Sequence, residues 1–131
     1  PRHVVLETRF DLYVRRADGC EEFYSLKTVK PNLDQIEIAK RDMLRISVAK
    51  PNSKAYLALP YNPFGEGYHY TWSVPKKMFD MDNSPAVLIG SSFWNAVGAN
   101  ENVFTELLEI FREVGAEYHT LIANDYLDAK R

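Results

Sequence analysis

The sequence is short of the residues that mark several classes of protein. Cys20 is its one cysteine, which excludes a disulfide framework and a cysteine-rich zinc site. No apolar run approaches the roughly 20 residues that a membrane span needs, so we expect no membrane partner. A secretory signal pattern is also lacking. Together with the lone cysteine, this predicts a cytoplasmic protein.

The 131 residues suit one domain with a real hydrophobic core, so we expect a single domain over residues 1–131. A net charge of −2 argues against a protein that coats nucleic acid by bulk charge. The cations are uneven, however, because 11 of the 16 Lys and Arg residues lie in residues 1–54. A binding face for an anion is therefore expected in the first half. The start at Pro1 rather than Met favours a processed product or a fragment.

Two neighbouring strands are predicted near the beginning of the chain. Residues 4–14 alternate between apolar and polar side chains, which is typical of a strand with one buried face. Glu7 and Asp11 share the polar face, whereas Phe10, Leu12 and Val14 are assigned to the apolar one. A second run over residues 22–29 places Ser25 and Lys27 together on one of its faces.

The turn between these runs decides whether the polar residues meet. A two-residue loop at Asp18-Gly19 would place Asp11 opposite Leu26, away from Lys27. A three-residue loop over residues 17–19, with Gly19 in the left-handed conformation, places Asp11 opposite Ser25 and diagonal to Lys27. We predict the three-residue loop.

The rest of the chain alternates between helices and strands. Asn32 is a good N-cap for a helix over residues 33–46, with Glu37 at the edge of its apolar stripe. Gly115 is predicted to stop a helix. The resulting fold class is α/β (α+β), with a mixed central β-sheet flanked by helices. The other predicted elements are strands at 55–60 and 85–90, an aromatic loop at 61–72, a helical turn at 76–81, and helices from 91 to Gly98, from 100 to 114 and from 117 to 130.

An acid and a lysine on adjacent strand ends suit metal-assisted phosphodiester hydrolysis, since the acid holds Mg²⁺ and the lysine orients water. Phe10-Asp11 and Tyr24-Ser25-Leu26-Lys27 resemble the motifs of the PD-(D/E)XK nuclease superfamily, and specifically of type II restriction endonucleases. The resemblance spans roughly residues 3–115. It implies a restriction-endonuclease-like fold, Mg²⁺ as cofactor, double-stranded DNA as substrate and a homodimer. Asp11 and the Leu26 carbonyl are then the metal ligands, and Lys27 positions the water.

Ser25 departs from the family motif, which normally has Asp or Glu at that position. Some members with Ser there recruit a Glu from the following helix. By this resemblance Glu37 is the first candidate for the missing carboxylate and Glu7 the second, while Ser25 orders the water. Polar side chains after the motif are candidates for contact with DNA: Lys30, Asn32, Gln35, Lys40, Arg41 and Arg45.

Two other readings stay open. Ser25 also suits a catalytically silent relative that binds DNA or a protein and uses the fold as a scaffold. A different α/β enzyme or an interaction domain could use the aromatic loop at 61–72, with Tyr68, His69 and Trp72 as its binding surface. Each basic side chain named above also has a plain alternative role as solvated helix surface.

Overall fold

A mixed four-stranded sheet lies at the centre of the fold, as predicted. The computed structural model describes residues 7–128. The sheet order is β1-β2-β3-β4, in which β1 runs antiparallel to β2 while β2, β3 and β4 are parallel. The elements are β1 (Leu12–Arg15), β2 (Glu21–Leu26), α1 (Leu33–Ala49), β3 (Lys54–Leu59), a short 3₁₀ turn (Pro75–Lys77), β4 (Val87–Ile89), α2 (Ser91–Gly98) and α3 (Val103–Asp128).

The two faces of the sheet bury separate apolar clusters. On one face α1 packs through Ile36 and Met43 against Leu57 and Leu59 of β3. On the other face Phe93 of α2 packs against alternate residues of the strands, Tyr24 and Ala58. Successive residues of a strand point to opposite faces, so β3 supplies both clusters. The sheet is therefore covered by helices on both sides.

The chain enters α1 through a capping box. The Asn32 side chain accepts a hydrogen bond from the Gln35 amide, and the Gln35 side chain accepts one from the Asn32 amide. This pairing satisfies two of the amides that a helix start leaves without partners. The predicted helix start at residue 33 is confirmed, and the helix continues three residues beyond the predicted end at 46.

The prediction of two separate helices at the carboxyl end was wrong. A single helix, α3, runs from Val103 to Asp128 and passes through Gly115 without a break. One glycine costs a helix interior only about 1 kcal/mol relative to alanine, which its helix-forming neighbours outweigh. The predicted residues 129–130 lie outside the described part of the chain. Several apolar side chains of α3 are exposed, namely Leu108, Ile110, Phe111, Val114, Tyr118 and Leu121.

The first strand is shorter than its sequence pattern suggests. Residues 4–6 lie outside the described part, and residues 7–10 are irregular before β1 begins at Leu12. The predicted alternation is wrong for Phe10, which packs with the α1 cluster, whereas Leu12 packs with the α2 cluster. The chain bends at Asp11, where the side chain bonds to the neighbouring strand. That contact ends the regular pairing.

Candidate active site

The turn that joins β1 to β2 has the predicted three-residue form. The Arg16 amide donates to the Cys20 carbonyl at 2.8 Å, which closes the loop over residues 17–19. Gly19 has a φ of +87°, a conformation that glycine adopts without the strain of a side chain. The loop length and the left-handed glycine are both confirmed.

This turn sets the register that brings the candidate residues together. Leu12 pairs with Tyr24 in the ladder between β1 and β2. The ladder ends at this pair, so the predicted position of Asp11 opposite Ser25 lies beyond the regular pairing. The Asp11 amide donates to the Tyr24 carbonyl at 3.0 Å. Asp11 is thereby fixed at the end of β2.

The Asp11 carboxylate lies at the edge of β2. Its Oδ2 accepts a hydrogen bond from the Leu26 amide at 2.8 Å. The amide of the next residue, Lys27, points the other way and donates to the Ala58 carbonyl at 3.0 Å. Because the amide and carbonyl of a residue in an extended strand share a side, the Leu26 carbonyl faces the side that carries Asp11. An acid and a backbone carbonyl therefore lie on one side of the end of β2, directly before Lys27.

The side chain of Ser25 points to the opposite face of β2 from that of Leu26. Ser25 is only 2% exposed and pairs with Leu57 of β3 on the face covered by α1. Lys27 is half-buried and directly follows the last residue of β2. A serine hydroxyl is neutral, so it cannot offset the charge of a cation as the usual acid at this position does.

The two acids expected to replace that carboxylate are both exposed. Glu7 precedes β1 and Glu37 lies in the second turn of α1, next to the buried Ile36. The Glu7 backbone carbonyl accepts a hydrogen bond from Arg45 at 3.0 Å, which ties this segment to α1. Within residues 7–128, no three His, Cys, Asp or Glu side chains lie close enough together to hold a metal ion. The position of the second carboxylate stays a prediction.

Two of the six candidate DNA contacts lie over aromatic rings. Lys30 is exposed, and its Nζ lies 5.4 Å from the ring centroid of Phe64 and 5.9 Å from that of Trp72. Lys40 places its Nζ 4.6 Å from the ring centroid of Phe79. Cation–π contacts of this kind restrain the ammonium groups without neutralising them. Both ammonium groups are therefore available to contact a phosphate.

The other four candidates also have partners within the chain. Arg41 contacts the buried carboxylate of Asp42 at 3.3 Å, and Arg45 donates to the carbonyl of Glu7. The side chains of Asn32 and Gln35 are used in the capping box of α1. Capping groups stabilise the helix start by about 1 kcal/mol. For these two residues a structural role is therefore established beside any contact with DNA.

A partly buried ion pair that the sequence pattern did not reveal holds the hairpin to α2. Arg16 donates to both oxygens of Glu22 at 2.9 and 3.0 Å, and it also donates to the carbonyls of Ala96 and Val97 at the end of α2. The hydrogen bond from Arg16 lowers the pKa of Glu22 and raises that of Arg16. Burial, followed by the hydrogen bond that its hydroxyl donates to Glu22, raises the pKa of Tyr24.

The aromatic loop at 61–72 is fastened to the segment that follows Lys27. The Tyr70 hydroxyl donates to the Val29 carbonyl at 2.5 Å, and the Trp72 indole donates to the Pro31 carbonyl at 3.0 Å. Tyr70 is buried, and burial raises its pKa to about 12, so the hydroxyl remains a donor at neutral pH. The loop is therefore part of the structure around the strand ends.

The chain is similar in sequence to known restriction enzymes. Residues 2–115 match the family described as "Type II restriction endonuclease, HinfI". The chain is 47% identical over 119 residues to the type II restriction enzyme HgiCII of Herpetosiphon aurantiacus, covering 86% of this chain and 41% of that enzyme. HgiBI and HgiEI of the same organism are 43% and 44% identical over 120 residues, covering 85% of this chain.

The chain spans 41% to 42% of the length of these three relatives. The matched region includes the hairpin that carries Asp11 and Lys27, because the family match runs from residue 2 to residue 115. Across residues 7–128, no helix combines the length and apolarity required to cross a bilayer.

Proposed function

Because the chain belongs to the HinfI family of type II restriction endonucleases, we propose that it forms one catalytic domain of a Mg²⁺-dependent enzyme that hydrolyses phosphodiester bonds in double-stranded DNA. The contact between the Asp11 carboxylate and the Leu26 amide carries this proposal. It brings an acid from one strand beside the residue that precedes Lys27 on the next, which is the pairing that a metal-dependent nuclease needs.

Asp11 and Leu26 offer a donor set that fits Mg²⁺. The hydrogen bond from Leu26 uses Oδ2 of Asp11, so Oδ1 is the oxygen that we assign to the cation, together with the Leu26 carbonyl. Mg²⁺ is commonly held by one or two carboxylates, with phosphate and water completing its shell. When bound, the cation acts as a Lewis acid that polarises the phosphate.

Lys27 and Ser25 act on water and on the charge of the phosphate. The ammonium of Lys27 orients the attacking water and balances the negative charge that develops on the phosphate oxygens. The buried hydroxyl of Ser25 holds the same water by a hydrogen bond, since it has both donor and acceptor capacity. Neither role requires these side chains to bind the cation.

A second carboxylate completes the site, with Glu37 as the first candidate and Glu7 as the second. Both side chains are exposed and therefore able to change rotamer at little cost. The hydrogen bond from Arg45 to the Glu7 carbonyl holds the Glu7 segment against α1, which carries Glu37.

The DNA backbone meets the basic residues that follow the strand. Lys30 and Arg41 are the most exposed of these cations. Lys40 and Arg45, which lie in α1, are half-buried. Asn32 and Gln35 add polar contacts at the helix start. Two copies of the protein, related by a two-fold axis, would meet the two strands of one duplex.

The proposal is tested by incubating plasmid DNA with the purified protein in Mg²⁺ and in EDTA. We expect Mg²⁺-dependent linear products with defined ends, and a loss of at least about 100-fold in rate for Lys27→Ala. Lys54→Ala is the matched control. Lys54 is an exposed lysine at the amino end of β3, whereas Lys27 lies at the carboxyl end of the neighbouring β2. Cleavage by Lys27→Ala at the wild-type rate would contradict the role of Lys27.

A catalytically silent scaffold is the second candidate, and the buried Ser25 in place of an acid favours it. On this alternative the protein binds duplex DNA without cutting it, and binding is independent of Mg²⁺. The plasmid experiment separates the two functions if DNA binding is measured beside cleavage. Binding without any Mg²⁺-dependent product would support the scaffold.

A further inference from the structure

A cleft of about 440 Å³ opens beside the carboxyl ends of β3 and β4, and the proposed chemistry uses none of its residues. Its walls come from residues 62–70, from residues 81–83 and from the first turn of α2. Because β2, β3 and β4 are parallel, their carboxyl ends share one edge of the sheet. Ligands of such sheets bind outside this edge. The cleft and the candidate active site therefore lie along the same edge.

The spacing along this edge suits a DNA duplex. Neighbouring strands lie about 4.8 Å apart, so β2 and β4 are separated by about 10 Å. That distance is close to the rise of three base pairs, at about 3.4 Å per step. A duplex that lies along this edge and is cut beside Asp11 would therefore meet the cleft about three base pairs away.

The loop that forms the outer wall of the cleft has a fixed conformation. Asn62 donates from its side chain to the Tyr68 carbonyl at 2.7 Å and accepts from the Phe64 amide at 3.0 Å. Gly65 and Gly67 take φ values of +112° and +82°, which allow the two tight turns between these contacts. Side chains on this loop are therefore presented in a set position.

Two aromatic side chains of this loop are left exposed at the cleft. Tyr68 is 74% exposed, and the His69 side chain is 87% exposed. His69 lies with its Nδ1 3.3 Å from Oδ1 of Asp82, on the opposite wall. Exposed rings on an ordered loop contribute little to the stability of the fold, whereas they are common in binding surfaces.

The charges of the cleft favour base edges over phosphates. Glu66 and Asp82 both line it and carry negative charge, which repels a phosphate. Carboxylates instead accept hydrogen bonds from the amino groups that cytosine and adenine present in the major groove. An adjoining groove shares Asp82 and is lined by Lys76 and Lys77, which suit the flanking phosphates.

We infer that Tyr68, His69 and Asp82 contact base edges of the DNA and select its sequence, an inference that rests on the proposed nuclease function. Tyr68 and Asp82 offer hydrogen-bonding oxygens, and His69 offers a ring nitrogen beyond the one that faces Asp82. The segment that follows Lys27 is tied to this loop through Tyr70 and Trp72. These hydrogen bonds fix the position of the proposed base-contacting loop relative to the segment that follows Lys27.

The test begins by sequencing the ends of digested plasmid DNA to find the site that the wild-type protein cuts. Cleavage of that duplex is then compared with cleavage of duplexes changed at one base pair. For Tyr68→Phe and His69→Ala, we expect the discrimination at one or two positions to fall by about tenfold, with binding to duplexes of unrelated sequence within twofold of wild type. Tyr61→Phe is the matched control, because Tyr61 is 55% exposed on the same loop but does not line the cleft.

The outcomes separate this inference from the function on which it rests. A wild-type protein without Mg²⁺-dependent cleavage overturns both. A different result overturns only the proposed base contacts. In that result the wild-type protein cuts selectively, and Tyr68→Phe and His69→Ala discriminate between the cut site and the changed duplexes as well as wild type does. An equal loss of binding to every duplex also overturns it, because that result is the signature of phosphate contacts. Tyr68→Phe removes a single hydroxyl, so its result does not depend on whether His69→Ala folds.

Discussion

The Asp11 carboxylate accepts a hydrogen bond from the Leu26 amide at 2.8 Å, so a side chain takes the place of a backbone partner where the pairing of β1 and β2 ends. The contact gives Asp11 a structural role that is separable from its charge. An asparagine retains an oxygen that can accept the same hydrogen bond, whereas an alanine does not.

Asp11→Asn is therefore expected to leave the fold intact and to abolish the proposed chemistry. The free energy of unfolding should stay within about 1 kcal/mol of wild type, since the bond to Leu26 is kept. Mg²⁺-dependent cleavage should fall by at least about 100-fold, because the anionic ligand is lost. Denaturant unfolding and plasmid cleavage measure the two effects. Asp11→Ala serves as the comparison and should lose both; an active Asp11→Asn enzyme would remove Asp11 from the metal site.

Substitutions of Glu7 and Glu37 identify the second carboxylate. Glu37→Gln is expected to lower the cleavage rate by at least about tenfold at limiting Mg²⁺, with partial recovery at high Mg²⁺, because a ligand of the cation is lost. Glu7→Gln is the matched variant and should stay within twofold. The opposite pattern would assign the role to Glu7. If neither rate changes, no acid from these two positions reaches the metal.

The pair between Arg16 and Glu22 predicts how stability depends on pH. The pKa of Glu22 is lowered in the folded protein, so its ionised form stabilises the fold above the ordinary value of 4.5, and this contribution is lost as the pH falls through the lower pKa of the folded state. Glu22→Gln should cost about 2 kcal/mol at pH 7 and should weaken the loss of stability in acid. Thermal unfolding between pH 3 and pH 7 measures both effects.

Glu21→Gln is the control for this experiment. Glu21 precedes Glu22 in β2, and its carboxylate contacts Lys50 and Tyr13 in a solvent-exposed position. Exposed pairs contribute little to stability. The loss of stability between pH 7 and pH 3 should therefore change much less in Glu21→Gln than in Glu22→Gln. Equal effects of the two substitutions would show that the pair between Arg16 and Glu22 contributes no more to stability than an exposed pair.

Two glycine substitutions should change stability in opposite directions. Gly19→Ala is expected to destabilise the protein by about 1 kcal/mol, because alanine is strained at a φ of +87° even though the space around it is open. Gly115→Ala is expected to stabilise α3 by up to about 1 kcal/mol, since Gly115 lies within a helix with nothing near its Cα to obstruct a methyl group. Circular dichroism during thermal unfolding measures both. A stabilising Gly19→Ala would contradict the left-handed turn.

The parts of the fold that depend on neighbouring residues could be predicted from the sequence. The register of β1 and β2 follows from the loop length and from Gly19, and the start of α1 follows from the cap at Asn32. The bend at Asp11 could not be predicted, because the alternating pattern continues through it while the bonding partner of its side chain lies 15 residues away. The continuity of α3 is not evident from the sequence, because glycine is a common helix stop and the helix formers around Gly115 outweigh it only in sum.

The candidate site could be predicted only in part, because several of its contacts join residues that are far apart in the sequence. The closeness of Asp11 to the end of β2 could be predicted, because β1 and β2 are joined by a short loop and their pairing is local. The contacts from Arg16 to the end of α2 join residues about 80 positions apart, and no spacing in the sequence indicates them. The cleft at His69 and Asp82 depends in turn on the parallel arrangement of β3 and β4, which brings separate loops to one edge.

The fastening of the 61–72 loop has a consequence for the order of folding. Asp11 and Leu26 are 15 residues apart, whereas Tyr70 lies 41 residues from its partner Val29. The entropy cost of closing a loop rises with its length, and chains with distant contacts fold more slowly. We therefore expect the hairpin that carries Asp11 to close before the loop that carries Tyr68 and His69 docks on Val29. Along this edge of the sheet, the residues proposed to cut are assembled before the residues proposed to read the sequence.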